Sequence, residues 1–435
     1  MLSEILPAVF MALFYACACF IFFKRKEYIV YFMCLTVPLY DYFPGIFYKI
    51  NMFGIAFTLK PYLFCELVLL GVYVLDMIKH KRMIEEIRNI NVVFFPLALF
   101  GVLALFFTAK ERENYFCGVN LCLMILTVAA LPYFVKKVSI NVNKALRFLI
   151  LGFFISAVPM MSAIFLSKIG LCAVRYDSFK IYGMTFSIIA IIIIFKYITE
   201  NDVRRFLKKT GVLFLVFVLI FLTRARASWF SLFFCLPLFA FFSLKYCFAR
   251  KDRIVLAKTA MVCLVLIAAF FCAVNIEKNI YGEFVSLDQM FDANKHITNN
   301  ADPMMWGIKN KVLRMIWAYL AHERTMAWQK VFSIMYQNPF LGHGLIYLPT
   351  HNIFMEAFLA GGIIGMILFV SGMVSFCIER IHQMFVSRKN LGMYYLNGAF
   401  MICIMVWAIN GLFQTNLNEY LPWFIIALSS SDLNL

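Results

Sequence analysis

Twenty-two consecutive residues, 357–378, and eighteen more, 259–276, carry no charged side chain. A run of about 20 apolar residues is what a helix needs to cross the hydrocarbon core of a bilayer. In that medium every backbone N–H and C=O must be satisfied within the chain, which restricts such a run to helix. Similar runs recur along the whole sequence. Spans are expected near 4–23, 28–43, 57–78, 91–109, 116–135, 147–167, 183–198, 210–223, 228–245, 255–275, 352–376 and 392–413, with a shorter run at 421–430. Hydrophobic residues make up 63% of the 435 and charged ones 14%, whereas soluble domains run near a quarter charged. The expected fold is an all-α polytopic integral membrane protein of about 12–13 transmembrane helices, with one long external loop containing short helices.

The 40 Lys and Arg outnumber the 23 Asp and Glu. Most of them sit in short loops between apolar runs, so the excess reports topology and no nucleic-acid partner is expected. Alternate loops hold Lys24–Arg25–Lys26, Lys79/Lys81/Arg82/Arg88, Lys136/Lys137/Lys144/Arg147, Lys196/Arg204/Arg205/Lys208/Lys209, Lys245/Arg250/Lys251/Arg253/Lys258 and Arg380/Arg388/Lys389. These are 24 basic residues against 16 on the other side, seven of which lie in the stretch 276–350. Long loops report topology poorly, so 276–350 is placed outside. The same count puts the N-terminus outside, with residues 1–23 as an uncleaved first span. Four regions follow: an N-terminal bundle over 1–174, central spans over 175–275, the outer loop over 276–351 and C-terminal spans over 352–435. The 13 cysteines fall almost entirely inside apolar spans, with no C-x-x-C and no metal spacing. They are expected to be packing residues, and no cofactor or metal is expected.

Four external places carry polar groups that a membrane protein does not keep without use. Lys180 precedes the seventh span within Arg175–Gly183; taken alone it is an interfacial lysine that snorkels. Thr223–Arg224–Ala225–Arg226–Ala227–Ser228 makes a tight hairpin with two arginines, where ordinary turns use Gly, Asn or Asp. Arginine forks suit phosphate, so an external lipid phosphate explains the pair. In the long loop, Arg324, Trp328, Val331 and Met335 share one helical face, and Asn338–Pro339 stops the helix before a flexible Gly342–His343–Gly344 turn. Taken alone, that segment is an amphipathic helix on the outer membrane surface. Finally, Thr350 is placed to N-cap the eleventh span, which opens His351–Asn352–Ile353–Phe354–Met355–Glu356. A histidine in a first helical turn is held neutral, as a general base must be, although a lone interfacial histidine is commonly structural. Gly361–Gly362 and Gly365 in the same span read as close helix contact or tilt. Together, three cations (Lys180, Arg226, Arg324) and one base describe a site for a di-anion beside an activated hydroxyl.

The order of these pieces resembles the bacterial O-antigen ligase and O-antigen polymerase superfamily. The resemblance rests on Lys180-x-x-Gly183, Ala225–Arg226–Ala227–Ser228, Arg324-x-x-x-Trp328, Asn338–Pro339–Phe340–Leu341–Gly342–His343–Gly344 and His351–Asn352–Ile353–Phe354–Met355–Glu356. It departs from the family pattern in carrying lysine at 180, where arginine is common. It implies a metal-independent, inverting glycosyl transfer at the periplasmic face of the bacterial inner membrane, from undecaprenyl-diphosphate-linked oligosaccharide. His351 would be the base, Arg226 and Arg324 would hold the diphosphate, and Lys180, Arg224, Asn352, Trp328 and His343 would contact substrate. The expected activity is O-antigen polymerase, with membrane lipid and a chain-length regulator as partners; ligation of the glycan to lipid A–core is the alternative. A metal-dependent polyprenyl-phosphate sugar transferase would use Asp41, which has no acidic partner in sequence. A lipid-linked oligosaccharide flippase would need charges along many spans and a pseudo-repeat, and the sequence has neither.

Overall fold

The computed structural model describes residues 13, 15–38, 49–52, 55–58, 61–80, 94–108, 115–138, 140–168, 182–223, 225–250, 253–281, 328–345, 350, 352–414, 417 and 419–430. Helices α1 (Tyr15–Lys24) and α2 (Glu27–Thr36) are followed by strands β1 (Lys49–Met52) and β2 (Ile55–Thr58). Then come α3 (Pro61–His80), α4 (Phe94–Thr108), α5 (Tyr115–Val138), α6 (Val142–Lys168), α7 (Tyr182–Ile198), α8 (Val203–Leu222), α9 (Arg226–Arg250) and α10 (Arg253–Tyr281). The chain continues with the short helix α11 (328–335). It closes with α12 (Ile353–Val386), α13 (Leu391–Gly411) and α14 (Tyr420–Ser429). Seven of these (α3, α5, α6, α9, α10, α12 and α13) are long and apolar enough to cross a membrane, and α1, α2, α4, α7 and α14 are shorter apolar helices. The chain is a multi-pass, helical membrane protein.

Several boundaries differ from the expected ones. The third span starts at Pro61 rather than 57, because residues 55–58 pair with 49–52 in an antiparallel hairpin running from Lys49↔Thr58 to Met52↔Ile55. Proline fits the first helical turn, where its missing N–H is harmless, and it disfavours helix in the residue before it. The eighth span begins seven residues early, where Asp202 caps α8 by accepting from the Arg205 N–H at 2.9 Å. The eleventh runs on to Val386, well past the apolar run, and ends just before Asn390 caps α13. Apolar length sets where a helix must exist, while capping side chains set where it stops.

α7 forms the centre of the bundle. Every residue in it except Lys196 is buried, as expected of a helix apolar on all sides. α12 lies against α4, with Gly365 and Gly372 meeting Phe100 and Leu97. The basic segments gather at one end. Lys258 donates to the carbonyl of Ile198, the last residue of α7, at 2.9 Å, and Lys209 donates to the Lys196 carbonyl at 2.7 Å. Lys196 in turn reaches the Asn143 carbonyl at 3.1 Å, and Lys245 sits over the Phe385 ring at 4.2 Å. Arg380, assigned from sequence to a loop, is instead buried within α12, where its guanidinium caps the Ser429 carbonyl at the end of α14 and meets Asn397 Oδ1 at 3.2 Å. Cations at helix C-termini satisfy open carbonyls and oppose the negative pole of the helix dipole.

Candidate functional site

The opposite end of α7 is built differently. Gly183, its second residue, touches the turn between α8 and α9 so closely that an added Cβ would lie 2.3 Å from Ala225 Cβ and 2.5 Å from Ser228 Oγ. Only glycine permits that approach. The turn is held by its own polar groups: Thr223 Oγ1 donates to the Ile220 carbonyl (2.6 Å) and accepts from the Ala225 N–H (3.2 Å). Trp229 Nε1 donates to the same Ile220 carbonyl at 3.0 Å. This geometry makes Arg226 the first residue of α9, where unpaired N–H groups and the positive end of the helix dipole favour an anion.

A path of contacts leads from this turn to the other motifs. Asn410, fully buried near the end of α13, donates to Ser228 Oγ at 2.8 Å. Two residues on, the Leu412 carbonyl accepts from Asn352 Nδ2 at 3.3 Å. Asn352, not Thr350, is the N-cap of α12: its Oδ1 accepts from the N–H groups of Phe354 (2.9 Å) and Met355 (3.1 Å). Thr350 is two residues too far out for that role and instead accepts from the Asn352 N–H at 3.3 Å. The Thr350 carbonyl receives Trp328 Nε1 at 2.9 Å. Thus both chain neighbours of His351 are anchored, one to the helix bearing Trp328 and the other to the end of α13. On α11, Val331 and Met335 are buried against Leu359 of α12, as the periodicity required, while Phe332 and Tyr336 face outward.

The segment after α11 is fixed rather than flexible. α12 is broken at Gly362, where φ is +65° and ψ −161°. An unbroken helix would bond Ile363 N–H to Leu359 O and Ile364 N–H to Ala360 O. Here residues 339–344 replace those partners. The N–H groups of His343 and Gly344 donate to Leu359 O (2.8 Å) and Ala360 O (3.1 Å), while those of Ile363 and Ile364 donate to Pro339 O (2.9 Å) and Phe340 O (3.3 Å). The fit needs two glycines. A Cβ on Gly362 would fall 2.3 Å from the Phe340 carbonyl, and one on Gly342 (φ +76°) would fall 2.5 Å from the Gly362 nitrogen. Gly361 and Gly365 do serve close packing, against Phe100, but Gly362 opens the helix to a docked loop. The His343 ring is half-buried, and its Nε2 has no hydrogen-bond partner among the described residues.

Lys180, Arg224, Arg324 and His351 lie outside the described residues, as does the side chain of Arg226. The structure therefore joins the segments that flank them: Gly183, Ala225 and Ser228, Trp328, Thr350 and Asn352. Sequence reasoning gave no role to three groups here. Asn410 is one; a lone amide near the end of an apolar span is costly unless used, and that was its signal. Glu356 is the second: its Oε2 accepts from the Leu417 N–H at 3.0 Å, while the Leu417 carbonyl receives Trp423 Nε1 at 2.9 Å. Glu419, just ahead of α14, is the third; burial pushes its carboxyl up to about 8.

The O-antigen ligase family matches residues 211–370, from the third turn of α8 to the middle of α12. Over these residues the chain is similar to the O-antigen ligase family. No curated protein matches the chain significantly. The O-antigen ligase match takes in Arg224, Arg226, Arg324, Trp328, His343, His351 and Asn352, while Lys180, Gly183 and Asn410 fall outside it. It supports a glycosyl-transferring role of ligase or polymerase type in surface polysaccharide synthesis, with lipid-linked glycan and membrane lipid as substrates.

Proposed function

We propose that the chain is a periplasmic-face glycosyltransferase of the inner membrane that takes its glycan from undecaprenyl diphosphate. It joins that glycan to a second lipid-linked repeat, as an O-antigen polymerase. The reading is supported chiefly by one observation: the contact path Gly183–Ser228–Asn410, then Leu412–Asn352–Thr350–Trp328, links all four motif segments at one end of the bundle. The acceptor hydroxyl oxygen bonds to the anomeric carbon from the face opposite the leaving group. The anomeric C–O bond breaks and its electron pair departs with the diphosphate. His351 takes the hydroxyl proton, and Arg226 and Arg324, with Lys180 and Arg224 beside them, neutralise the charge that develops on the leaving group. Fixed cations do this without a metal. Asn352 and Trp328 act by holding the chain on either side of His351, and His343 Nε2 offers a further contact to the glycan. A chain-length regulator is the expected protein partner of such an enzyme.

The family's description as O-antigen ligase favours a second reading, in which the acceptor is lipid A–core. One experiment tests both. A deletion strain is complemented with wild type, His351→Ala or Arg324→Ala, expression is confirmed, and surface glycan is run on a gel. Loss of a general base typically costs about 10²–10⁴-fold, so neither variant should restore the ladder. Complementation by both would sink the assignment. A single repeat left on lipid A–core marks a lost polymerase; bare core with long chains retained on undecaprenyl diphosphate marks a lost ligase.

A further inference from the structure

Where α7 ends, at the basic pole of the bundle, a cavity of about 1290 Å³ opens between α6, α7, α8 and the start of α13. Six cations line it: Lys144 and Arg147 from α6, Lys196 from α7, and Arg205, Lys208 and Lys209 from α8. The only carboxylate in the lining is Glu200, and Lys209 already holds it at 2.6 Å. That contact keeps the Glu200 carboxyl below the usual range, so it stays ionised and bound to its own lysine. Five positive charges are left without a carboxylate among the lining residues.

Cations that serve only to orient a membrane protein need no concave arrangement; they do their work solvated in separate loops. Here three helices turn theirs toward one space. The opposite wall is apolar and lies deeper along the same helices: Phe154 of α6, Ile193 and Phe195 of α7, and Val212 of α8. A soluble anion would gain from the cations and nothing from that wall. An amphiphile with a phosphate head and a hydrocarbon chain would gain from both.

We propose that this cavity binds the phosphate headgroup of an anionic membrane lipid, with the first methylenes of its chain lying against Phe154, Ile193 and Val212. The site lies at the far end of α7 from Gly183, roughly 25 Å away for a 17-residue helix. It is therefore separate from the proposed catalytic groups and does not depend on them. Phosphate oxygens would pair with Arg147 and Lys208, which are exposed and carry no carboxylate partner among the described residues.

The test uses the full-length protein in a neutral detergent, titrated with phosphatidylglycerol and followed by native mass spectrometry. Wild type should retain the lipid. Arg147→Gln with Lys208→Gln should weaken retention by roughly tenfold or more, given the worth of each basic residue near an anionic lipid. Arg204→Gln with Lys389→Gln, two exposed positions outside the cavity, should leave it unchanged, and millimolar inorganic phosphate should not displace the lipid. Equal retention by wild type and the cavity variant would overturn the proposal. So would equal weakening by the control pair, or complete displacement by inorganic phosphate, which would make the cavity a soluble-anion site. All these side chains are exposed, so folding is checked simply by monodispersity.

Discussion

The two ends of α7 are held by opposite kinds of chemistry. At the Ile198 end, long lysine and arginine side chains reach across gaps to cap helix carbonyls: Lys258 on Ile198, Lys209 on Lys196, Arg380 on Ser429. At the Gly183 end most of the described contacts are made by Gly, Ser, Thr, Asn and Trp, with Glu356 the one carboxylate named among them, and backbones approach until no Cβ fits. Flexible cations tolerate error, because a lysine can bend to find a carbonyl. Short neutral groups do not. An end assembled from such groups has a geometry to protect.

The contrast breaks most visibly at Gly183. Gly183→Leu must push the start of α7 away from Ala225 and Ser228, in the turn that leads into α9. A displacement of about 1 Å at a reacting site costs on the order of 10²-fold, so glycan transfer in membrane vesicles should fall at least that far while the protein still inserts. Retained activity would show that the close approach is only packing. Gly362→Ala is the next test. It forces an L-residue to φ +65° with its Cβ against the Phe340 carbonyl, a strain of about 1–3 kcal/mol. The expected result is faster proteolysis after α11 and reduced transfer; unchanged cleavage would mean that the docked loop is not held by the break.

The smallest expected effect concerns Glu419, whose carboxyl burial pushes up to about 8. At neutral pH the folded protein keeps it largely protonated. The sign follows from linkage. Between an unfolded value near 4.3 and the folded one, the native state binds more protons, so this stabilisation is full in acid and lost as pH rises toward 8. Thermal unfolding in detergent should show a midpoint that declines over that window, and Glu419→Gln should flatten the decline. An identical slope in wild type and variant would assign the titration to another group.

Much of this was legible in the residues. Apolar runs announced the spans, since lipid leaves the backbone no other choice, and the spacing of Trp328, Val331 and Met335 gave the buried face of α11 correctly. The distribution of Lys and Arg separated the two ends. What escaped was whatever rests on backbone rather than side chains. The break at Gly362 and the loop that fills it are joined by N–H and C=O groups that every residue has, so nothing in 339–344 names its partners. The cap of α12 was misplaced by two residues because Thr350 and Asn352 are both good capping types, and only the path of the chain chooses between them. Asn410 went unnoticed because one amide in a long apolar helix looks incidental until Ser228 is found opposite.

Filling the gap in α12 with residues 339–344 closes the chain into a ring: the strand that leaves α11 is stitched to a helix that the same strand later becomes. The two ends of the stretch from Pro339 to Ile364 are thereby tied to each other. Residues added or deleted upstream of Trp328 need not disturb the four bonds that close the ring.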